Sequence, residues 1–120
     1  MTPTGDALIG ALDALERIGA RVQRIPESEA GFLGWVRDRA AWARPPWLAY
    51  HTLRSDGSAP GFPDLILIRP PRLVVAELKT DRGRLSKPQR TWLDGFAACH
   101  IAEVYLWRPA DRPAIERILK

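Results

Sequence analysis

The chain has 120 residues, of which 46% are hydrophobic and 27% are charged, and its formal net charge is +4. This length and composition are typical of one ordinary globular domain, and the positive charge favours an anionic partner. The single cysteine, Cys99, excludes an internal disulfide and a cysteine-based zinc cluster. The two histidines, His51 and His100, lie far apart in sequence, which argues against a histidine-rich metal site.

Targeting signals are missing from the sequence. No stretch approaches the roughly 20 apolar residues that a membrane span needs. The first residues also lack the basic and then apolar layout of a signal peptide. We therefore expect a cytoplasmic protein with no membrane partner.

The first part of the chain is predicted to form two helices. Residues 6–18 place three leucines at helical spacing, which predicts an amphipathic helix. Ser28 can cap a second helix. The apolar stripe of that helix consists of Phe32, Leu33, Val36 and Ala40.

The rest of the chain alternates between strand and helix patterns. Apolar residues fall on both faces of the two central strands, so we expect a sheet that is covered on both sides. The whole order is α-α-β-β-β-α-β-α, which predicts a mixed α/β domain. The elements after the second helix are a strand at 47–53, a loop at 54–60, strands at 62–69 and 72–80, a helix from Ser86, a strand at 103–107 and a helix at 111–119.

Two acidic residues are predicted to face each other in the central hairpin. If residues 69–72 (Arg-Pro-Pro-Arg) form the turn, facing residues have numbers that sum to 141, and Asp64 lies opposite Glu77. Facing side chains in an antiparallel pair have Cβ atoms about 5 Å apart. Two carboxylates so placed repel each other, and in a partly buried site this repulsion and the desolvation cost several kcal/mol.

A divalent cation would remove this penalty. Mg²⁺ takes one or two carboxylates together with water and phosphate oxygens. Lys79 follows Glu77 by two residues and so lies on the same face, where it can hold a water or a phosphate oxygen. The alternative is an ordinary solvated strand end, and a one-residue slip of the register would move Asp64 to the other face. On spacing alone, both interpretations stay open.

Three motifs extend this pattern. They are Gly61-Phe62-Pro63-Asp64, Glu77-Leu78-Lys79 and Gln89-Arg90-Thr91-Trp92. Together they resemble the PD-(D/E)xK nuclease superfamily and, within it, the virus-type replication-repair nuclease (VRR-NUC) family. The similarity runs from about Ser28 to Asp111 and includes "WLAYHT" and a Trp-Arg-Pro ending.

The resemblance implies a single restriction-endonuclease-like domain, with a mixed central sheet flanked by helices. We expect this nuclease domain to occupy residues 28–120, with residues 1–27 as an N-terminal helical extension. It also implies a metal-dependent phosphodiesterase that acts on DNA, with Mg²⁺ as cofactor and Mn²⁺ able to substitute. The host would be a bacterial or a phage-infected cell.

Small phage and bacterial members of the family often cut branched DNA, such as four-way (Holliday) junctions. Resolving a junction needs two symmetric cuts, which predicts a homodimer with two identical sites. The alternative function is a DNA-binding or nuclease subunit of a larger restriction or repair assembly, without junction selectivity.

The resemblance also implies roles for individual residues. Asp64 and Glu77 would be metal ligands, and the backbone carbonyl of Leu78 a further one. Lys79 would orient the attacking water and offset charge in the transition state. Glu29 matches a further metal-binding acid from the first core helix. Its alternative role is that of a carboxylate stabilised by the positive end of that helix.

Two more residues have alternative roles. Gln89 matches a glutamine near the family's active site, but Ser86 and Gln89 also fit a capping box. His51 matches a frequent histidine of the family, which would contact phosphate or take part in proton transfer. Packing at a strand end explains His51 equally well.

Residues beside the expected site are candidates for DNA contact. A glycine at position 61 permits a tight turn or a close approach of DNA. A basic cluster follows Lys79 and is expected to contact phosphates flanking the cut, although a purely solvated loop is the alternative. This cluster consists of Arg82, Arg84, Lys87 and Arg90.

Overall fold

The computed structural model describes residues 28–53 and 59–120. The predicted helix at 6–18 and most of the predicted loop at 54–60 therefore lie outside the described residues. From Ser28 onward the observed order of elements is the predicted one. The elements are α1 (Glu29–Trp42), β1 (Leu48–His51), β2 (Leu65–Arg69), β3 (Arg72–Leu78), α2 (Lys87–Ala98), β4 (Ala102–Trp107) and α3 (Arg112–Leu119).

Helix α1 begins where the sequence predicts it. The Ser28 hydroxyl accepts a hydrogen bond from the Gly31 amide at 3.0 Å, which satisfies one of the free amides of the first turn. The predicted stripe is confirmed, because Phe32, Val36 and Ala40 are buried and Leu33 packs against the core that they form.

The described strands form one mixed sheet in the order β1-β2-β3-β4. β1 pairs with β2, and β2 with β3, in antiparallel orientation, whereas β3 and β4 are parallel. Parallel neighbours need a crossover connection, and α2 supplies it. The predicted α/β fold with a mixed sheet flanked by helices is confirmed.

The register of the central hairpin is also confirmed. Arg69 pairs with Arg72 and Leu65 with Ala76, so the numbers of paired residues sum to 141 as predicted. β2 starts at Leu65 rather than at residue 62, because Pro63 has no amide hydrogen to donate to a ladder. Asp64 lies one residue before this first pair and Glu77 one residue after it, and their carboxyl groups are adjacent.

The main core lies on one face of the sheet. α1 and α3 cover this face, and the Trp47 indole nitrogen ties the layers together by donating to the Leu119 carbonyl oxygen at 2.9 Å. The buried side chains of this core are Phe32, Val36, Ala40, Trp47, Leu65, Leu67, Val74, Ala76, Leu78, Trp107, Ile115 and Leu119.

The opposite face of the sheet is covered unevenly. α2 packs against β3 and β4, and Val75 and Glu77 on this face are buried. Towards β1, however, Leu48 is 70% exposed and its cross-strand partner Ile68 is 38% exposed. Within the described part of the chain, the prediction of a sheet covered on both sides is therefore right for β3 and wrong for the β1–β2 edge. Among the described residues, every helix is too short or too polar to cross a bilayer.

Candidate active site

Asp64 is held at the point where β2 begins and β3 ends. Its Oδ2 accepts a hydrogen bond from the Leu78 amide at 2.8 Å. Its backbone carbonyl accepts from the Thr52 amide at 2.9 Å, just beyond the end of β1. The carboxylate therefore has a defined position relative to both neighbouring strands.

Glu77 is a buried carboxylate with one unsatisfied oxygen. The residue is 1% exposed, and its Oε1 accepts a hydrogen bond from Gln89 Nε2 at 3.2 Å. Its Oε2 is buried and has no hydrogen-bond partner within the part of the chain that the structure describes. A buried polar atom left without a partner costs about 1–3 kcal/mol, and more when it is charged. The site therefore contains an oxygen whose charge can be satisfied by a bound cation.

The surroundings of Glu77 raise the pKa of its carboxyl group. Burial and the adjacent Asp64 carboxyl raise the pKa of Glu77 from 4.5 to about 8, and Glu29 adds to this effect. The positive charge of Lys79 acts in the opposite direction, which places its ammonium group within electrostatic range. The buried Asp64–Glu77 pair of the metal-free protein therefore holds a proton to a higher pH than an isolated glutamate does.

Gln89 forms the predicted capping box and also contacts the candidate metal ligand Glu77. Its side-chain Oε1 accepts from the Ser86 amide at 2.8 Å, and its own amide donates to the Ser86 hydroxyl at 3.2 Å, which completes a capping box. The other end of the same side-chain amide donates to Glu77. The cap thus fixes the orientation in which Gln89 reaches the buried carboxylate.

Gly61 is required by the start of α2. The residue has φ of +81°, and a Cβ placed on it would lie 2.4 Å from the Pro88 carbonyl carbon and 2.6 Å from the Gln89 nitrogen. A side chain cannot fit at that distance. The close neighbour of this glycine is therefore the helix that carries Gln89, and the approach of DNA to Gly61 stays a prediction.

An aromatic cluster, which the sequence analysis missed, fixes the segment before Asp64. Phe62 contacts Trp92 edge-to-face with ring centroids 5.1 Å apart, and it contacts Phe96 at 6.1 Å. The Trp92 indole nitrogen also donates to the Pro60 carbonyl oxygen at 3.2 Å. The i, i+4 spacing of Trp92 and Phe96 is the sequence signal that could have predicted this cluster.

Glu29 and His51 lie at the same cavity as Asp64. This cavity has a volume of about 480 Å³, and its wall also contains Thr52 and Leu78. Within residues 28–53 and 59–120, however, no three His, Cys, Asp or Glu side chains are close enough together to hold one metal ion. Glu29 therefore shares the cavity with Asp64 without forming a three-carboxylate cluster with Asp64 and Glu77.

Lys79 is anchored through the end of β4. Its amide donates to the Trp107 carbonyl oxygen at 3.0 Å. The Arg108 guanidinium donates from Nη1 to the Thr80 carbonyl oxygen at 2.6 Å. Arg108 belongs to the Trp-Arg-Pro ending, and its contact with the Thr80 carbonyl was not predicted from the sequence. It fixes the backbone that follows Lys79.

The predicted basic cluster lies beside this site. All four side chains are exposed, and they occupy the turn after β3 and the first turn of α2. Their contacts with DNA stay a prediction. The four residues are Arg82, Arg84, Lys87 and Arg90.

A family model of the VRR-NUC domain matches residues 37–107, which is more than half of the chain. The chain belongs to the VRR-NUC family. This VRR-NUC protein is accordingly a nuclease that acts on DNA. The matched range contains Asp64, Glu77, Lys79 and Gln89, whereas Glu29 precedes it. Comparison with curated proteins and with solved structures gives no match.

The domain bounds stay a prediction. The match begins within α1 and ends with β4, inside the predicted nuclease domain at 28–120. The predicted extension at residues 1–27 lies outside both the match and the described residues.

Proposed function

We propose that this VRR-NUC protein is a Mg²⁺-dependent endodeoxyribonuclease whose catalytic residues are Asp64, Glu77, Lys79 and Gln89. The observation that carries the proposal is the buried Oε2 of Glu77, which has no hydrogen-bond donor among residues 28–53 and 59–120 and lies next to a second carboxyl group, that of Asp64. In a domain that acts on DNA, a cation at this point would neutralise both carboxylates.

The residues present fit a hard divalent cation. Asp64 and Glu77 would hold it through carboxylate oxygens, and the Leu78 carbonyl would add a third oxygen ligand. Glu29, at the wall of the shared cavity, would act as a further ligand, directly or through water. Mg²⁺ accepts such a small set because it keeps several of its waters, and Mn²⁺ prefers the same type of ligand.

The metal, when bound, supplies Lewis-acid activation of water and phosphate. The side chains of the protein orient the water, stabilise the developing charge and position the metal ligands. Lys79 orients the attacking water and offsets the negative charge that develops on the phosphate. Gln89 holds Oε1 of Glu77, which leaves Oε2 for the cation. His51 lies at the cavity wall, and we propose that it contacts phosphate or moves a proton.

The basic cluster would bind the flanking backbone. Its four exposed charges lie on the segment that follows Lys79, so they can contact phosphates on one side of the cut. Such contacts fix the position of DNA without reading its sequence.

The overall assignment is tested by one cleavage assay. Branched, flapped and linear DNA are incubated with the protein in Mg²⁺, Mn²⁺ or EDTA. We expect cleavage with either metal and none with EDTA. Cleavage that persists in EDTA after the protein has been stripped of metal would contradict the metal-dependent mechanism.

Glu29→Gln is expected to raise the Mg²⁺ concentration that gives half-maximal cleavage, with little loss of stability. The amide keeps the shape of the side chain but is a weaker metal ligand. Glu116→Gln is the matched control, because Glu116 lies on α3 and forms a 3.9 Å ion pair with Arg39, away from the cavity. If Glu29→Gln instead melts at a lower temperature and cuts DNA normally at low Mg²⁺, Glu29 stabilises the N-terminus of α1 and does not bind the metal.

We further propose that the protein is a homodimer that prefers four-way junctions. One site cuts one strand, and a two-fold dimer presents two identical sites to a substrate of matching symmetry. The prediction is a dimer mass in light scattering and paired incisions on opposite arms of a junction. A monomer at micromolar concentration that cuts linear duplexes as fast as junctions would contradict the junction preference and leave the nuclease assignment intact.

A further inference from the structure

We propose that Thr52 is a positioning residue for Asp64, and that its hydroxyl group keeps the Asp64 carboxylate where it can bind the metal. The inference rests on the proposed metal-dependent function. Neither the motifs nor the family match gives Thr52 a role.

Thr52 makes two hydrogen bonds to the segment that carries Asp64. Its hydroxyl donates to the Pro63 carbonyl oxygen at 2.6 Å. Its amide donates to the Asp64 carbonyl oxygen at 2.9 Å. Both bonds lie one step beyond the last β1–β2 pair, His51 with Leu65. Thr52 therefore extends the contact between these strands up to the candidate metal ligand.

The Thr52 hydroxyl supplies a hydrogen-bond donor at a point where Pro63 interrupts the strand pairing. This proline is fully buried and has no amide hydrogen, so the backbone there cannot donate to a regular ladder. Its carbonyl oxygen still needs a donor, because a buried unpaired carbonyl is costly. Thr52 supplies that donor and thereby fixes the plane of the peptide that joins Pro63 to Asp64.

The orientation of this peptide determines where the Asp64 side chain points. The Asp64 carboxylate meets the Leu78 amide at 2.8 Å on the β3 side, while Thr52 holds the Asp64 backbone on the β1 side. Rotation of the peptide would weaken the contact with Leu78 and move the carboxylate relative to Glu77. Outer partners that orient metal ligands typically contribute about 10- to 100-fold in metal affinity or activity.

Thr52→Val tests this role, because valine keeps the branched shape and the amide and removes only the hydroxyl. We expect Mn²⁺ affinity without DNA, measured by calorimetry, and kcat each to fall by about 10- to 100-fold. KM for DNA should be unchanged. Thr52→Ser, which keeps the hydroxyl, should restore both values. Thr91→Val is the matched control, because its hydroxyl also donates to a backbone carbonyl, that of Lys87 at 3.0 Å.

The possible outcomes separate this role from a structural one. If Thr52→Val lowers Tm but binds Mn²⁺ and cuts like the wild type, the proposal is overturned. If circular dichroism shows that Thr52→Val is unfolded, Thr52→Ala is compared with the wild type at a temperature where it is folded, with the same expected losses. If the wild type itself neither binds Mn²⁺ nor cuts DNA, the proposed function fails before Thr52 is considered.

Discussion

Asp64→Asn and Glu77→Gln are each expected to abolish DNA cleavage while DNA binding is kept or improved. Each change removes a metal ligand, and each also removes one of the two carboxyl groups that can carry negative charge beside the DNA polyanion. The measurements are single-turnover cleavage at saturating Mg²⁺ and DNA affinity by fluorescence anisotropy at one fixed salt concentration, since affinity for DNA depends steeply on salt. Cleavage near the wild-type rate by either variant would refute the assignment of the site.

Lys79→Ala separates the metal from the positive charge beside it. The variant should bind Mn²⁺ much as the wild type does and still lose at least ~10²-fold in cleavage rate, as expected for one electrostatic contact made in the transition state. Lys120→Ala, at the exposed C-terminal residue, controls for the loss of a positive charge elsewhere. An equal loss in both variants would indicate a general effect of charge on DNA binding.

The central hairpin was predictable because its determinants are local. The turn between Arg69 and Arg72 fixes the register of the strands on either side, and that register brings Asp64 to Glu77. The Ser28 cap and the stripe of α1 were predictable for the same reason. In each case the residues that interact are close in sequence, so spacing is sufficient.

Contacts between distant segments were only partly predictable. At Gly61 the sequence predicted a tight turn or an approach of DNA, but it did not predict that the first turn of α2 packs there. It presented the two roles of Gln89 as alternatives, because the pattern does not show that opposite ends of one amide serve both. Both the neighbour of Gly61 and the two contacts of Gln89 depend on how α2 packs against the sheet.

Thr52 and Arg108 were missed because their partners are backbone carbonyls. The acceptors are the carbonyl oxygens of Pro63 and Thr80, and a carbonyl carries no signal in the sequence. Coverage of the β1–β2 edge was wrong for a related reason. Strand patterns show which faces are apolar, but they do not show how far a helix such as α2 extends across the sheet.

A final prediction concerns the stability of the metal-free protein, and it needs no DNA. The pKa of Glu77 is about 8 in the folded protein, above its ordinary value of 4.5. Between these values the folded state holds a proton that the unfolded state has released. The free energy of unfolding contributed by this group is therefore fully present below pH 4.5 and is lost as pH rises through about 8. One pKa unit corresponds to about 1.4 kcal/mol, so the loss is on the order of a few kcal/mol.

Glu77→Gln should remove most of this pH dependence, because the amide keeps the shape and the contact with Gln89 but does not ionise. Urea unfolding in EDTA at pH 5, 7 and 9 measures the effect, with Glu116→Gln as the control for an exposed carboxylate. The difference between wild type and variant cancels the titration of groups that do not interact with Glu77, so it reports on the coupled Asp64–Glu77 pair. Adding Mg²⁺ should stabilise the wild type most at high pH, because the metal binds the deprotonated carboxylates and releases the proton. Parallel pH profiles for the wild type and Glu77→Gln would show that Glu77 ionises normally. Repulsion between the two buried carboxylates would then no longer support the proposed metal site.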